Sequence, residues 1–514
     1  MENRWILIIA LIVLACMPLQ VMAYDNIEAH PLINVLAVDY FEKVLLPGDP
    51  LLKNTLFNAE PVQGFDWNYK DHGRVKIGPR SYISNINSKP MKEWIKDGGY
   101  SADEPEYTMA LVHFYDPTKA KPYLTDQQFL VEFGNLFFED FQNPRISAVD
   151  WAFDRDRTDL MYFTQDYSWN DALFYYSLAL ADDSHDNEFY GRAWRAVGET
   201  MHLISDMTVP AHVRNDGHAW SDPYEESVKG REVIDYKDGN PLDLNYDSGT
   251  LEELMIRIAT EVNENFFSAD TIPCRIINSS GIVDVEKYSQ PSLKGLSLDA
   301  DGYYHSPTGI KLAHEHVWNG RYSSAYIRQL DGEVLDDQRS VLIPTAIRAS
   351  AEVLDRFLPR FEARLSVEKY LPDDLDDDMY ILHATLTRVP TEQDAWKDED
   401  LLVRNGAYLI EEPPDGEKTE WELLLEDAIS FNDFTAFYEF KPGTIIQMKY
   451  DLGGYVIMSN KVVIPRTTTS PPEQDWTRKG TAEDACVAAG GQWIDGRCYT
   501  DTIREHSGEA GYFD

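Results

Sequence analysis

Cysteine is scarce in this sequence, and so is positive charge. The 514 residues contain 4 cysteines, too few for a small disulfide-held scaffold. None has zinc-finger spacing, so any bound metal must be held by histidines and carboxylates, which points to catalysis more than to a structural site. Cys486 and Cys498 bracket a Gly-rich loop and are expected to pair outside a reducing compartment, whereas Cys274 has no evident partner. Lys and Arg number 46 against 88 acidic residues, a formal net charge of -42. That balance argues against loose electrostatic docking on a nucleic-acid backbone or an anionic bilayer, so no stable nucleic-acid complex is expected. A phosphate-bearing substrate would need cations held locally, and a carboxylate-rich metal site supplies them. Solubility alone, or a salty medium, accounts for the same charge.

Phosphate-cradling Gly-x4-Gly-Lys loops, dinucleotide fingerprints and a serine nucleophile elbow are also missing. Long apolar runs are absent beyond the first residues, where Arg4 precedes the stretch Trp5 to Leu14 and Val21-Met22-Ala23 offers a cleavage site. Residues 1–23 read as a signal peptide, leaving Tyr24 first and the protein secreted or periplasmic. Val13-Leu14-Ala15-Cys16 is a competing lipoprotein box that would anchor the chain through Cys16.

What is present is ample core material, with 43% hydrophobic and 12% aromatic residues. At this length about two or three domains are expected. Apolar residues recur mainly at helical spacing from Asn26 to about Arg364, for example in Trp169 to Ala181, Gly191 to Leu203 and Gln338 to Leu358, with Pro344 expected to kink the last or move its start, and residues 24–365 are read as one helical domain. Lys229 to Tyr326, with weak periodicity and clusters of Gly, Asn and Asp, reads as long connections with short helices. Beyond the acid run Asp373 to Asp378, strand-like stretches at Tyr380 to Leu386, Leu401 to Leu409, Thr435 to Phe440, Thr444 to Tyr450 and Tyr455 to Met458 predict a β-sandwich over 375–466. Asp451-Leu452-Gly453-Gly454 makes the turn between the last two. Pro471-Pro472 opens a linker and a disulfide-bearing tail, 467–514. The fold class is mainly α, with a smaller β-sandwich following.

Histidine carries the chemical information, because seven of the 12 precede residue 220 and His202, His212 and His218 fall close together. His202 and Asp206 are four apart, so a helix stacks them on one face where they can grip one ion. Pro210 ends or bends that helix and lets His212 turn back toward the same pocket. The stretch Asn215 to Glu225 adds His218, Asp216, Asp222 and Glu225. Asp222-Pro223-Tyr224-Glu225 equally fits a helix start, with Asp222 as the cap. His314 and His316, two apart, do not share a helical face and carry less weight.

In Gly198, His202, Asp206, Pro210 and His212, together with His113-Phe114-Tyr115-Asp116-Pro117 and Ala29-His30-Pro31-Leu32-Ile33-Asn34, the chain resembles the zinc-dependent phospholipase C and single-strand nuclease superfamily, bacterial secreted type. The resemblance covers about residues 24–365 and implies a multi-helical zinc-dependent phospholipase C-like domain with three zinc ions. Carried over, it gives one ion to His113, His202, Asp206 and a carboxylate from Asp103 or Glu104, with Asp206 bridging to a second ion held by His30 and the terminal amine and carbonyl of Tyr24. His212, His218 and Glu225 would hold the third. Asp222, four after His218, is a rival for the place of Glu225, which is seven after it. The implied reaction is hydrolysis of a phosphate ester by a zinc-activated water, with Asp103 or Glu104 orienting that water or acting as base and Asp116 steadying His113. Phospholipid is the first expected substrate, and nuclease or phosphomonoesterase activity the second. A reading from another class is a secreted binding or adhesion protein that keeps a structural metal site. Aromatic side chains of the β part would offer a neutral peripheral membrane contact, and oligomeric state is not legible.

Overall fold

A computed structural model describes residues 28–66, 85–104, 109–125, 145–153, 165–217, 222–278, 281–319, 324–370, 379–396, 399–423, 430–465, 491–494 and 497–500. The signal peptide and lipoprotein box, Tyr24, His218, the acid run and Cys486, and with it the expected Cys486–Cys498 pairing, lie outside the described residues.

The helices that build the site are α1 (Ala29–Tyr40), α2 (Met91–Ser101), α3 (Trp169–Ala181), α4 (Phe189–Asp206), α5 (Pro210–Val213), α6 (Pro223–Ser227), α7 (Leu251–Asn265) and α8 (Gly332–Phe357). Local chemistry sets several of their ends. Ser168 and Asp171 form a reciprocal capping box at the start of α3, and Thr250 with Glu253 does the same for α7. Asp331 caps α8, which continues through Pro344, so that proline neither starts nor ends it. No helix of the described residues is long and apolar enough to cross a membrane.

Strands β1 (Thr55–Phe57), β2 (Pro61–Asp66) and β3 (Asn85–Pro90) come from the N-terminal part. The segment expected to be mostly connections departs from that reading. It contains the whole of α7, the hairpin β4 (Cys274–Asn278) with β5 (Gly281–Val285), and the meander β6 (Tyr303–His305), β7 (Lys311–Asn319) and β8 (Ser324–Gln329). The Thr250–Glu253 box was the readable sign of α7. The meander was hidden because its face is polar: Glu315 is buried between Arg275 and Arg328 rather than packed among apolar side chains.

C-terminal strands are β9 (Phe361–Lys369), β10 (Met379–Arg388), β11 (Ala407–Glu412), β12 (Thr419–Glu422), β13 (Asp433–Glu439), β14 (Ile445–Asp451), β15 (Tyr455–Met458), β16 (Val462–Val463), β17 (Gly491–Ile494) and β18 (Arg497–Thr500). They form two antiparallel sheets, in the order β1-β15-β14-β11-β12 with β16 added on β14, and β17-β18-β13-β10-β9. Pairing crosses the lines drawn on the sequence: β1 of the N-terminal part zips onto β15, β9 straddles residue 365, and β18 of the tail pairs with β13.

Alternate residues of these sheets, such as Tyr380, Leu382, Ala384 and Leu386 on β10 and Ile446, Met448 and Tyr450 on β14, are buried. They belong to one core cluster that runs from Ala29 to Ile464 and includes Trp94, Trp194 and Phe357 of the helices. The turn Asp451–Gly454 links the helices to the sheets. Tyr176 and Trp194 donate to the carbonyls of Leu452 and Gly453, and Tyr190 packs against Gly453.

Candidate metal centre

Small residues decide where the site forms. A Cβ on Gly98 would lie 2.3 Å from the Arg195 carbonyl, and one on Gly198 would lie 2.2 Å from the Ile95 carbonyl. Helices α2 and α4 therefore cross backbone to backbone, at a distance only glycine permits. A Cβ on Gly99 would meet Asn34 at 2.7 Å, so α1 closes on the same crossing. Asn34 in turn donates to the carbonyls of Ile95 and Gly198, tying the three helices together. Their convergence brings His30 of α1, Asp103 just past α2, and His202 and Asp206 of α4 to one point. His113 follows a short 3-10 turn, Ala110–Val112. The 3.0 Å bond from Tyr115 N–H to the His212 carbonyl holds that segment against α5.

Asp206 is at the centre. Its Oδ1 lies 3.3 Å from His30 Nε2 and 3.4 Å from His212 Nδ1, and its Oδ2 lies 3.2 Å from His113 Nδ1 and 3.4 Å from His202 Nε2. Asp103 adds a second carboxylate, 3.2 Å from His113 Nδ1 and 3.6 Å from His202 Nε2. Glu225 completes the far side at 3.0 Å from His212 Nε2. None of these seven residues is more than 1% exposed. His30 and His202 stack with ring centroids 3.7 Å apart.

Hydrogen bonding does not explain this assembly. Asp103 Oδ2, both ring nitrogens of His113, Nε2 of His202 and both oxygens of Asp206 are buried with no hydrogen-bond partner among the described residues. A buried polar atom left unpaired costs about 1–3 kcal/mol, and more for a charged group, so such a concentration asks for a cation. The donor set fits zinc, which takes imidazole nitrogen and carboxylate oxygen. Two groups of three could grip an ion, and they share His202: His30, Asp103 and His202, or His113, His202 and Asp206. The first differs from the carried-over set, which gave His30 and His202 to different ions; the stacking of these rings brings both to Asp103.

The outer bonds orient the ligands. His202 Nδ1 lies 2.8 Å from the Gly99 carbonyl, which can only accept, so Nδ1 carries a proton and Nε2 turns its lone pair inward. Electrostatics in the metal-free protein follow the same geometry. Burial opposes charge on His113, but the carboxylates of Asp206 and Asp103 outweigh it and push the imidazole up to about 10. His202 and His212 are raised against burial by Asp103 and Asp206, and by Asp206 and Glu225, respectively. Burial and the charge of His202 hold His30 below the ordinary histidine value. Burial favours the neutral acid at Asp206, yet His202, His212 and His113 hold it well below the usual carboxylate range.

Other expected residues sit elsewhere. Glu104 is half-buried and accepts the Tyr100 hydroxyl at 2.6 Å, one residue outside the cluster that Asp103 enters. Asp222 caps α6, its Oδ1 accepting from Tyr224 and Glu225 N–H at 2.9 and 3.1 Å. Asp116 does not steady His113: its carboxylate is taken by Thr118 and by the Tyr288 hydroxyl. His314 and His316 lie on strand β7, where residues two apart do share a face, and His314 Nδ1 pairs with Asp331 at 2.6 Å. They belong to neither ligand group found among the described residues. Ser205 and Gly99, whose hydroxyl and carbonyl lie 2.8 Å from His30 Nδ1 and His202 Nδ1, are residues that sequence spacing does not mark, because a lone serine or glycine carries no pattern.

No family model and no curated protein matches the chain. Among solved structures it is similar to the alpha toxin of Clostridium absonum, at 12% identity over 76% of this chain and 87% of that one, with a TM-score of 0.24. A second similar structure is the alpha-toxin of an avian strain of Clostridium perfringens, at 13% identity over 86% of this chain and 97% of that one, with a TM-score of 0.29.

Proposed function

We propose that the chain is a zinc-dependent hydrolase of phosphate esters, acting first on phospholipid headgroups, and that its centre is Asp206 with His30, Asp103, His113, His202, His212 and Glu225. The observation that carries this reading is the carboxylate of Asp206: each oxygen is faced by two imidazole nitrogens and neither has a hydrogen-bond partner among the described residues. Such an arrangement suits a carboxylate that would hold a cation together with these imidazoles, and the resemblance of the motifs around His113 and His202 points the same way.

Zinc, held by His30, Asp103, His113, His202, Asp206, His212 and Glu225, would supply Lewis acidity, able to lower the pKa of water to about 7 and to offset charge on a phosphoryl oxygen. The chain's own groups do the rest. Gly99 fixes the tautomer of His202. Burial would raise Asp103, but His202 and His113 hold it below the usual carboxylate range, and we take its carboxylate to orient the attacking water. Glu104, engaged by Tyr100, is the weaker claimant to that role. With a net charge of -42, the protein attracts an anionic ester only through cations held at this point.

The test is purified full-length protein with measured zinc content, assayed on a chromogenic phosphocholine diester, on single-stranded DNA and on a phosphomonoester. Turnover of the diester that disappears in His202→Ala together with bound zinc supports the proposal. Preference for DNA or for the monoester moves the substrate to the other expected class. Bound zinc without turnover of any of the three sinks the enzyme reading in favour of a structural metal.

A further inference from the structure

His30 reaches the centre from α1, and what its outer nitrogen meets bears on which tautomer the ring takes. That nitrogen, Nδ1, lies 2.8 Å from the hydroxyl oxygen of Ser205, a residue 175 positions away in the chain and wholly buried beside Asp206. A hydroxyl has one hydrogen and two lone pairs. The hydrogen of Ser205 is directed along the helix to the His202 carbonyl, 2.8 Å distant and three residues back, the usual bond of a helical serine. What Ser205 offers His30 is therefore a lone pair, and His30 must be the donor. A neutral imidazole that carries its proton on Nδ1 presents a lone pair at Nε2, here 3.3 Å from Asp206 Oδ1. A lone pair facing a carboxylate is repulsive until a cation lies between them.

We propose that Ser205 is a positioning residue of the metal centre, accepting from His30 Nδ1–H and so holding the ring in the tautomer and orientation that turn its Nε2 toward Asp206. This rests on the zinc reading given above. Ser205 also couples two ligands, since the hydroxyl that accepts from His30 donates to the backbone of His202. Loss of that hydroxyl removes the acceptor Ser205 offers and with it the preference for the Nδ1–H tautomer.

The test compares wild type, Ser205→Ala and Ser205→Thr as full-length proteins. Zinc affinity is read by competition with a chromophoric chelator, ring tautomers by nitrogen-15 shifts of selectively labelled histidine in the metal-free protein, and folding by thermal unfolding of that form. Wild type is expected to show His30 protonated at Nδ1. Ser205→Ala should bind zinc about 10- to 100-fold more weakly, as loss of an outer-sphere partner does, and Ser205→Thr should recover most of that loss. If His30 of the wild type carries its proton on Nε2, the proposal is overturned even when the alanine variant cannot be folded. A folded Ser205→Ala with unchanged zinc affinity and tautomer overturns it as well. Wild type that takes up no zinc in any buffer sinks the metal centre itself, a different failure.

Discussion

Trp194 donates its indole N–H to the carbonyl of Gly453 at 2.8 Å, so the helix that carries His202 and Asp206 is fastened to the turn between β14 and β15. The turn needs glycine for two reasons. Gly453 has φ +77, and a Cβ there would lie 2.2 Å from the ring of Tyr190, four residues before Trp194 on α4. Gly453→Ala should therefore cost at least about 2 kcal/mol, from the left-handed backbone and the overpacked ring together. Urea unfolding of the metal-free protein measures it. A loss below about 0.5 kcal/mol would show that the turn does not support the helix.

Replacing Asp206 by Asn keeps the size of the side chain and removes the charge that four imidazoles face. Zinc affinity should fall beyond the about 100-fold that bounds the loss of an outer-sphere partner. Elemental analysis of protein dialysed against a weak chelator should find little or no metal. Unchanged zinc content in Asp206→Asn would mean that the cluster is held by protons rather than by cations.

Protons and zinc compete for the same atoms. In the metal-free protein His113 is pushed up to about 10, and His202 and His212 are raised above the ordinary histidine value, by the facing carboxylates against burial. Their pairing stabilises that form fully below the unfolded value of about 6.5, and the contribution is lost as pH rises through the folded values. Asp206, held low, works the other way: its contribution is present above about 3.8 and is lost as pH falls. Zinc must displace the histidine protons, so its uptake releases protons and tightens as pH rises. The gain in melting temperature on adding zinc should therefore grow from about pH 5 to about pH 8. A gain that is flat or shrinking over that range would place the ion away from these imidazoles.

Residues close in sequence were the legible part of the site. His202 and Asp206 share a helix turn, and Pro210 starts the short helix that returns His212, so spacing alone predicts that they meet. His30 and His113 entered only through resemblance, because no periodicity connects them to α4. The physical reason for Gly198 stayed hidden until α2 was found crossing it at Gly98. Long-range strand pairing was the least legible: the short strand Thr55–Phe57 pairs with Tyr455–Met458, and nothing local in either announces the other. The same holds for Glu315, whose burial depends on Arg275 and Arg328 arriving from two other strands.

Asp222 and Glu225 offer a last test, because sequence spacing left both open as ligands and the structure gives them different work. Asp222 Oδ1 holds the first N–H groups of α6, while Glu225 places Oε1 3.0 Å from His212 Nε2. Asparagine caps helices about as well as aspartate, whereas alanine does not, at a cost of about 1 kcal/mol. Asp222→Asn should keep the cap and the full zinc complement, and Asp222→Ala should lower stability by about that amount, with zinc affected only as far as α6 frays. Glu225→Gln should lower zinc stoichiometry while leaving helix α6 in place. Isothermal titration of zinc into the three variants separates the roles: if Asp222→Asn loses zinc and Glu225→Gln keeps it, the assignment of these two carboxylates is reversed.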